Sequence, residues 1–235
     1  VPTSLPPDAP VLVLATPGGT AGVAEEIAAV VRVDNPQIEV RLTSITDLAD
    51  SLPAGRDAVV VPLLTWDDPV IMAEIGKAVA ASGSGAVVTE ALGPHPLLAE
   101  ALHIRLAERG LARADRVRLL NVSSPVDAVI LATAGGPRAV HAVQATAVLL
   151  ASRLTLPVVA ASLDSDPGVG VAAQRLRAAG AERLAIAPCV IGHETPAGVV
   201  EQAAASINAG HADPLGAHSA VAELVARAYG SQLAT

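Results

Sequence analysis

Phenylalanine is absent from this 235-residue chain, and tryptophan, tyrosine, methionine and cysteine occur once each. A core without aromatic bulk has to be built from aliphatic side chains, and stacking platforms for nucleobases are essentially missing. The lone Cys189 excludes an intramolecular disulfide framework and fits a reducing compartment, so a cytoplasmic location is expected. Lysine is nearly absent as well: Lys77 stands alone beside abundant arginine and alanine, a composition that points to a GC-rich genome. At a formal net charge of −8 the chain lacks the basic footprint that phosphate backbones require, which argues against nucleic acid as a partner. No uncharged apolar run reaches the ~18 residues of a membrane span, so no membrane partner is expected either. Residues 1–10 are proline-rich and lack a basic start followed by an apolar stretch, and they read as a disordered leader.

What the chain has is a copy of itself. Val13-Leu14-Ala15-Thr16-Pro17-Gly18-Gly19 is answered by Ile130-Leu131-Ala132-Thr133-Ala134-Gly135-Gly136, at an offset of 133 − 16 = 117 positions. Leu92-Gly93-Pro94-His95 with Ala99-Glu100 is matched by Leu215-Gly216-Ala217-His218 with Ala222-Glu223, at 218 − 95 = 123. Between them, the apolar run 58–62 followed by Asp67-Asp68 corresponds to the run 184–188 followed by His193-Glu194. Three landmarks in one order at a near-constant, domain-sized offset indicate a duplicated half rather than a short-period solenoid.

Each half alternates strand and helix. Strands are expected at 11–15, 38–42, 58–64 and 86–88, and helices from Val23, at 70–80 and at 96–109. The second half repeats the order, with strands at 128–132, 157–161 and 183–188 and helices at 140–153, 169–179, 196–207 and 220–229. Near-continuous apolar strands separated by amphipathic helices predict an α/β fold of short parallel sheets covered on both faces. The organisation expected is a leader at 1–10, an N-terminal α/β half at 11–112, a linker rich in Arg and Ser at 113–126, and a C-terminal half at 127–235. All three landmarks follow strands, where a parallel sheet opens its ligand crevice. If the halves face each other, one central cleft lies between them, and both its walls come from one chain, which fits a monomer.

The candidate chemistry follows from that placement. Thr16, Gly18 and Gly19, and likewise Thr133, Gly135 and Gly136, let backbone and hydroxyl donors approach an anionic ligand at a helix N-terminus; a plain tight turn explains the glycines equally well. His95 and His218 open helices at equivalent places, either facing a ligand or as partly solvated loop histidines. His193 with Glu194, and Asp67 with Asp68, offer an imidazole and carboxylates able to hold a divalent cation or exchange protons; polar turns capping the following helices are the alternative. Trp66 can cover a planar ligand or pack under a loop. Arg138, beside the second glycine loop, is the cation best placed for an anionic ligand, or a solvated first-turn residue. Cys189 reads as a small core side chain.

These residues resemble the class II tetrapyrrole chelatases, in particular the two-half sirohydrochlorin cobalto- and ferrochelatases of actinobacterial type. The likeness covers most of the chain and is carried by residues 91–110 and 214–230, with Val60-Val61-Pro62-Leu63-Leu64 and Ala178-Ala179-Gly180-Ala181 between them. It implies two flavodoxin-like halves around a cleft that takes an acidic, metal-free tetrapyrrole. The implied reaction is insertion of Co²⁺ or Fe²⁺, as substrate, on the way to cobalamin or sirohaem, with no organic cofactor. Two positions depart from the family pattern. A histidine expected in an H-G-S or H-G-T loop after the first strand is replaced by Thr16-Pro17-Gly18, and a second after the third strand is replaced at Val70. Two readings follow. In one, His193 serves as metal ligand and base with Glu194 or Asp68 assisting, and Asp67 contributes to the metal site. In the other, a non-catalytic relative retains the cleft for a tetrapyrrole or another small anion. A periplasmic-type binding protein is the more distant reading, disfavoured by the want of an export signal.

Overall fold

The computed structural model describes residues 9–113 and 124–233. The expected leader and linker fall largely outside the described residues. Two four-stranded, all-parallel sheets organise the chain. The first is built from β1 (Val11–Thr16), β2 (Val40–Ser44), β3 (Ala58–Pro62) and β4 (Val87–Val88), in the order β2-β1-β3-β4. The second, from β5 (Ala128–Thr133), β6 (Val158–Ser162), β7 (Leu184–Pro188) and β8 (Gly210–His211), has the equivalent order β6-β5-β7-β8. The registers match as well. Thr16 lies opposite Ser44 and Ala15 opposite Pro62, as Thr133 lies opposite Ser162 and Ala132 opposite Pro188. The duplication in the sequence is thus a duplication of a flavodoxin-like sheet, with helices on its faces, as the apolar runs predict.

Central position explains the composition of β1 and β5. Each is fully buried along six residues, because a parallel strand flanked on both sides and covered on both faces has no polar side to show. Side chains alternate between faces. Val11, Val13 and Ala15 pack with Val60, with Leu48 of α2 (Leu48–Ser51) and with Ile75 of α3 (Pro69–Ser82). Ala128, Ile130 and Ala132 pack in the same way with Ile186, with Leu176 of α7 (Val169–Ala178) and with Val200 of α8 (Val199–Ser206). These clusters contain no aromatic ring, as the composition requires. Pro62 and Pro188 end their strands where a ladder donor is no longer needed. The next residues resume pairing: the Leu63 N–H donates to Ala15 O at 2.9 Å and the Cys189 N–H to Ala132 O at 2.6 Å.

The chain forms two compact units. Unit 1 comprises residues 1–92 and 216–235, and unit 2 comprises 93–215. Unit 1 therefore contains α1 (Val23–Asp34) and the distant α9 (Ser219–Gln232), which pack together, with α9 also against β3. The Tyr229 hydroxyl, at the buried end of α9, donates to Pro10 O at 2.7 Å. Unit 2 contains α4 (Pro96–Glu108), packed on α6 (Gln144–Leu154) and against β7. Within unit 2 the Arg105 guanidinium donates to Leu215 O at 2.8 Å, and Arg109 pairs with Asp213. Both ends of that unit are fastened by α4.

Several elements differ from expectation. The helix expected at 140–153 is two helices, α5 (Gly136–Ala142) and α6, broken at Val143; it starts earlier because Pro137 supplies a helical φ at the first turn. β2 begins at Val40 and runs to Ser44, since pairing with β1 continues to Thr16. Helix α8 starts at Val199, after Gly198 at φ 84°. The two-residue β8 was not anticipated from its Gly-His composition. Among the described residues no helix is long and apolar enough to cross a membrane.

Candidate functional site

The strand ends, the loops after them and the first turns of the helices that follow carry the polar residues singled out in the sequence, and most of them have a defined partner. In unit 1, Thr16 ends β1 fully buried, and its Oγ1 accepts from the Gly18 N–H at 3.3 Å. Gly19 and the following loop are exposed, and α1 begins after Gly22 with no side-chain cap. After β3 the chain passes through Trp66, buried at 9 % exposure, to two aspartates with separate duties. Asp67 Oδ1 accepts from the Ala91 N–H at 2.7 Å, tying the β3 loop to the segment after β4. Asp68 caps α3: its Oδ1 accepts from the Val70 and Ile71 N–H groups at 2.8 and 3.3 Å, with Pro69 at the first helical position.

In unit 2 the second glycine loop is occupied from within the chain. Asp164, just beyond β6, accepts from the Gly135 N–H at 3.1 and 3.3 Å, from Ser162 Oγ at 2.6 Å and from Ser165 Oγ at 3.1 Å. Burial pushes the Asp164 carboxyl up, but the hydrogen bonds from Ser162, Gly135 and Ser165 outweigh it, so the group titrates below its ordinary range. A carboxylate of the chain itself therefore stands where an external anion would approach Gly135. Gly136 is closely invested too, since a Cβ there would lie 2.9 Å from Ser165 Oγ. Thr133 is fully buried, with its hydroxyl turned toward Ala134 O, and Arg138 is exposed on α5.

The loop after β7 is braced by Glu194. Its two oxygens accept separately from the Ile191 N–H at 2.8 Å and the Gly192 N–H at 2.7 Å, where Gly192 adopts φ 136°. His193 is half-buried in that same turn. The recurring histidines share one role in both copies of the repeat. His95 is the N-cap of α4, its Nδ1 accepting from the Leu97 N–H at 3.1 Å. His218 is the N-cap of α9, its Nδ1 accepting from the Ala220 N–H at 3.1 Å. An accepting Nδ1 places the ring proton on Nε2. Four of the proposed groups, Asp68, Glu194, His95 and His218, thus hold backbone N–H groups of their own loops. Asp67 belongs to unit 1, and His193 and Glu194 to unit 2. Among the described residues no group of three or more His, Cys, Asp or Glu side chains could hold a metal ion.

Sequence reasoning passed over two carboxylates at strand ends. Asp164 was findable from pairing, because Ser162 sits opposite Thr133 and brings the next loop beside Gly135. Glu90 lies two residues beyond β4 and lines, with Asp67, an open groove of about 410 Å³ within unit 1.

No protein-family model matches this chain, and no curated protein matches it. Among solved structures it is similar to a multi-domain protein from Deinococcus radiodurans that has structural similarity to chelatases and two additional novel domains. That likeness has a TM-score of 0.61 at 20% identity, covering 94% of this chain and 55% of the other. The chain therefore spans about half the length of the Deinococcus protein, and the likeness establishes a chelatase-like fold. A periplasmic ribose ABC transporter protein from Conexibacter woesei matches at a TM-score of 0.41 and 12% identity, over 85% of this chain and 70% of its own. An ABC transporter solute binding protein from Agrobacterium vitis, with bound allitol, gives a TM-score of 0.41 and 12% identity, over 97% and 89%. Both are too distant to bear on fold or function.

Proposed function

We propose that this protein handles a tetrapyrrole in a reducing, cytoplasmic setting, as a chelatase that inserts Co²⁺ or Fe²⁺ into sirohydrochlorin for cobalamin or sirohaem synthesis. The observation that carries the reading is the duplicated parallel sheet, whose two copies agree in strand order and register and match a chelatase-like protein over nearly the whole chain. In this reading the metal is a substrate that replaces two pyrrole N–H protons as its bonds to the ring nitrogens form. His193 is the group to meet the incoming ion and to receive one of the two protons, the other passing to water, in a loop that Glu194 holds in shape. Asp68 and Asp67 are the carboxylates of the other copy, and the exposed Arg138 is available to the carboxylates of the macrocycle.

A second reading, tetrapyrrole binding without metal insertion, is favoured by one specific observation. Asp68, Glu194, His95 and His218 all serve as local caps or braces. Following the absorbance of sirohydrochlorin with Co²⁺ or Fe²⁺ separates the two. Insertion predicts acceleration over the spontaneous rate and at least a tenfold loss in His193→Ala with an unchanged circular dichroism spectrum. Saturable spectral change without acceleration supports binding alone, and the lack of any such change sinks both readings.

A further inference from the structure

Helix α3 is apolar around most of its circumference, yet Ile75 is its one fully buried residue and Val70 is 64 % exposed. A helix of that character is ordinarily covered. Its Met72 and Gly76 line an open surface groove of about 410 Å³ in unit 1, together with Val88 at the sheet edge, the adjoining Thr89, and Asp67 and Glu90. That volume lies within the range of small-molecule pockets. Gly76 keeps it open. Its φ lies outside the left-handed region and a Cβ there would meet nothing within 4 Å, so neither the backbone nor packing requires glycine in this helix interior.

The lining is chemically one-sided. It includes two carboxylates and no lysine, arginine or histidine. Glu90 is exposed, and its carboxylate makes no hydrogen bond or ion pair among the described residues. Asp67 engages Ala91 through Oδ1, leaving Oδ2 to accept. The Thr89 hydroxyl donates to Glu90 O. A site with unpartnered acceptors beside an apolar wall selects a ligand with several N–H donors on an apolar body, and it repels anions. We infer that unit 1 carries a small-molecule site for an organic ammonium ion, its charged head between Asp67 and Glu90 and its hydrocarbon body along Met72, Gly76 and Val88. This site stands whether or not a tetrapyrrole binds to the protein.

The test is a ¹H–¹⁵N NMR titration of the whole chain with hexylamine, compared with hexanol and hexanoate. Expected are saturable shifts of the Gly76, Val88, Thr89 and Glu90 amides with hexylamine, at least fivefold weaker binding of hexanol, and no saturable response to hexanoate. Glu90→Gln, a change at an exposed side chain, is expected to weaken hexylamine at least threefold. Gly76→Leu, which fills the groove, is expected to abolish it. The inference is overturned if hexylamine gives no saturable shift, if hexanol binds as tightly, or if Glu90→Gln leaves the affinity unchanged. Glu90→Gln decides the matter by itself should Gly76→Leu fail to fold.

Discussion

A histidine that recurs at the same place in two copies of a repeat invites a catalytic explanation, but His95 and His218 each spend Nδ1 on a helix N-terminus. Removing such a cap costs about 1 kcal/mol. His95→Ala and His218→Ala are therefore each expected to lower stability by about that amount in urea denaturation, with Asn at either position restoring most of it. A purely ligand-binding role would leave the denaturation midpoint unmoved. Asp127 supplies the clearest pH dependence. Hydrogen bonds from the Arg183 side chain and the backbone N–H groups of Arg183 and Glu182 hold its carboxyl down at about 2, against an ordinary 3.8. A depressed carboxyl contributes stability above its unfolded value and loses it as pH falls through the folded value. Stability is thus expected to decline between about 3.8 and about 2 by more in the parent than in Asp127→Asn, as read by thermal melts across that window. The positions of His95, His218, Asp68 and Glu194 at element starts and turns were legible in the sequence. Their hydrogen-bond partners were not, because a side chain's choice between backbone and ligand depends on distances of a few tenths of an ångström.

Elements were legible where burial imposed a pattern. The almost wholly apolar β1, β3, β5 and β7 announce buried parallel strands, and the structure sets their terminal prolines in matching register, Ala15 opposite Pro62 and Ala132 opposite Pro188. Short edge elements such as β8 carry no such pattern, since two residues pairing at an edge need no apolar run. The C-terminus of α6 shows a local conflict of another kind. Thr155 takes φ 57° and ψ 39° there, a left-handed conformation that a β-branched residue adopts at a cost of about 1–2 kcal/mol. Thr155→Gly is expected to raise the melting temperature, the gain reduced by the greater freedom glycine brings to the unfolded chain. An unchanged or lower value would mean that the threonine side chain makes compensating contacts.

At the scale of the molecule, a repeat divides a chain into consecutive halves, whereas packing has grouped residues 216–235 with 1–92. The sequence marks the junctions, because Leu92-Gly93 and Leu215-Gly216 are the same phrase of the repeat. It does not say which sheet the following helix will cover, which is decided by contacts far apart along the chain. Ending the chain at residue 215 would remove α9 and strip the partner of α1 and β3. The expected outcome is a protein that binds a hydrophobic dye strongly and loses cooperative melting of unit 1, while unit 2 keeps its amide protection in hydrogen exchange. Equal protection in both units would show that α9 is dispensable.

The same discontinuity sets an order of events during synthesis. A nascent chain that has emerged through Leu215 already holds every segment of unit 2, including α4 and the Asp213 that Arg109 grips. Unit 1, although most of it is made before unit 2, still waits for the segment from Gly216 onward, and meanwhile its α1 and β3 have no α9 alongside. Of the two units, the one whose translation starts first is thus completed second, and in the interval a chaperone has the most exposed surface to hold.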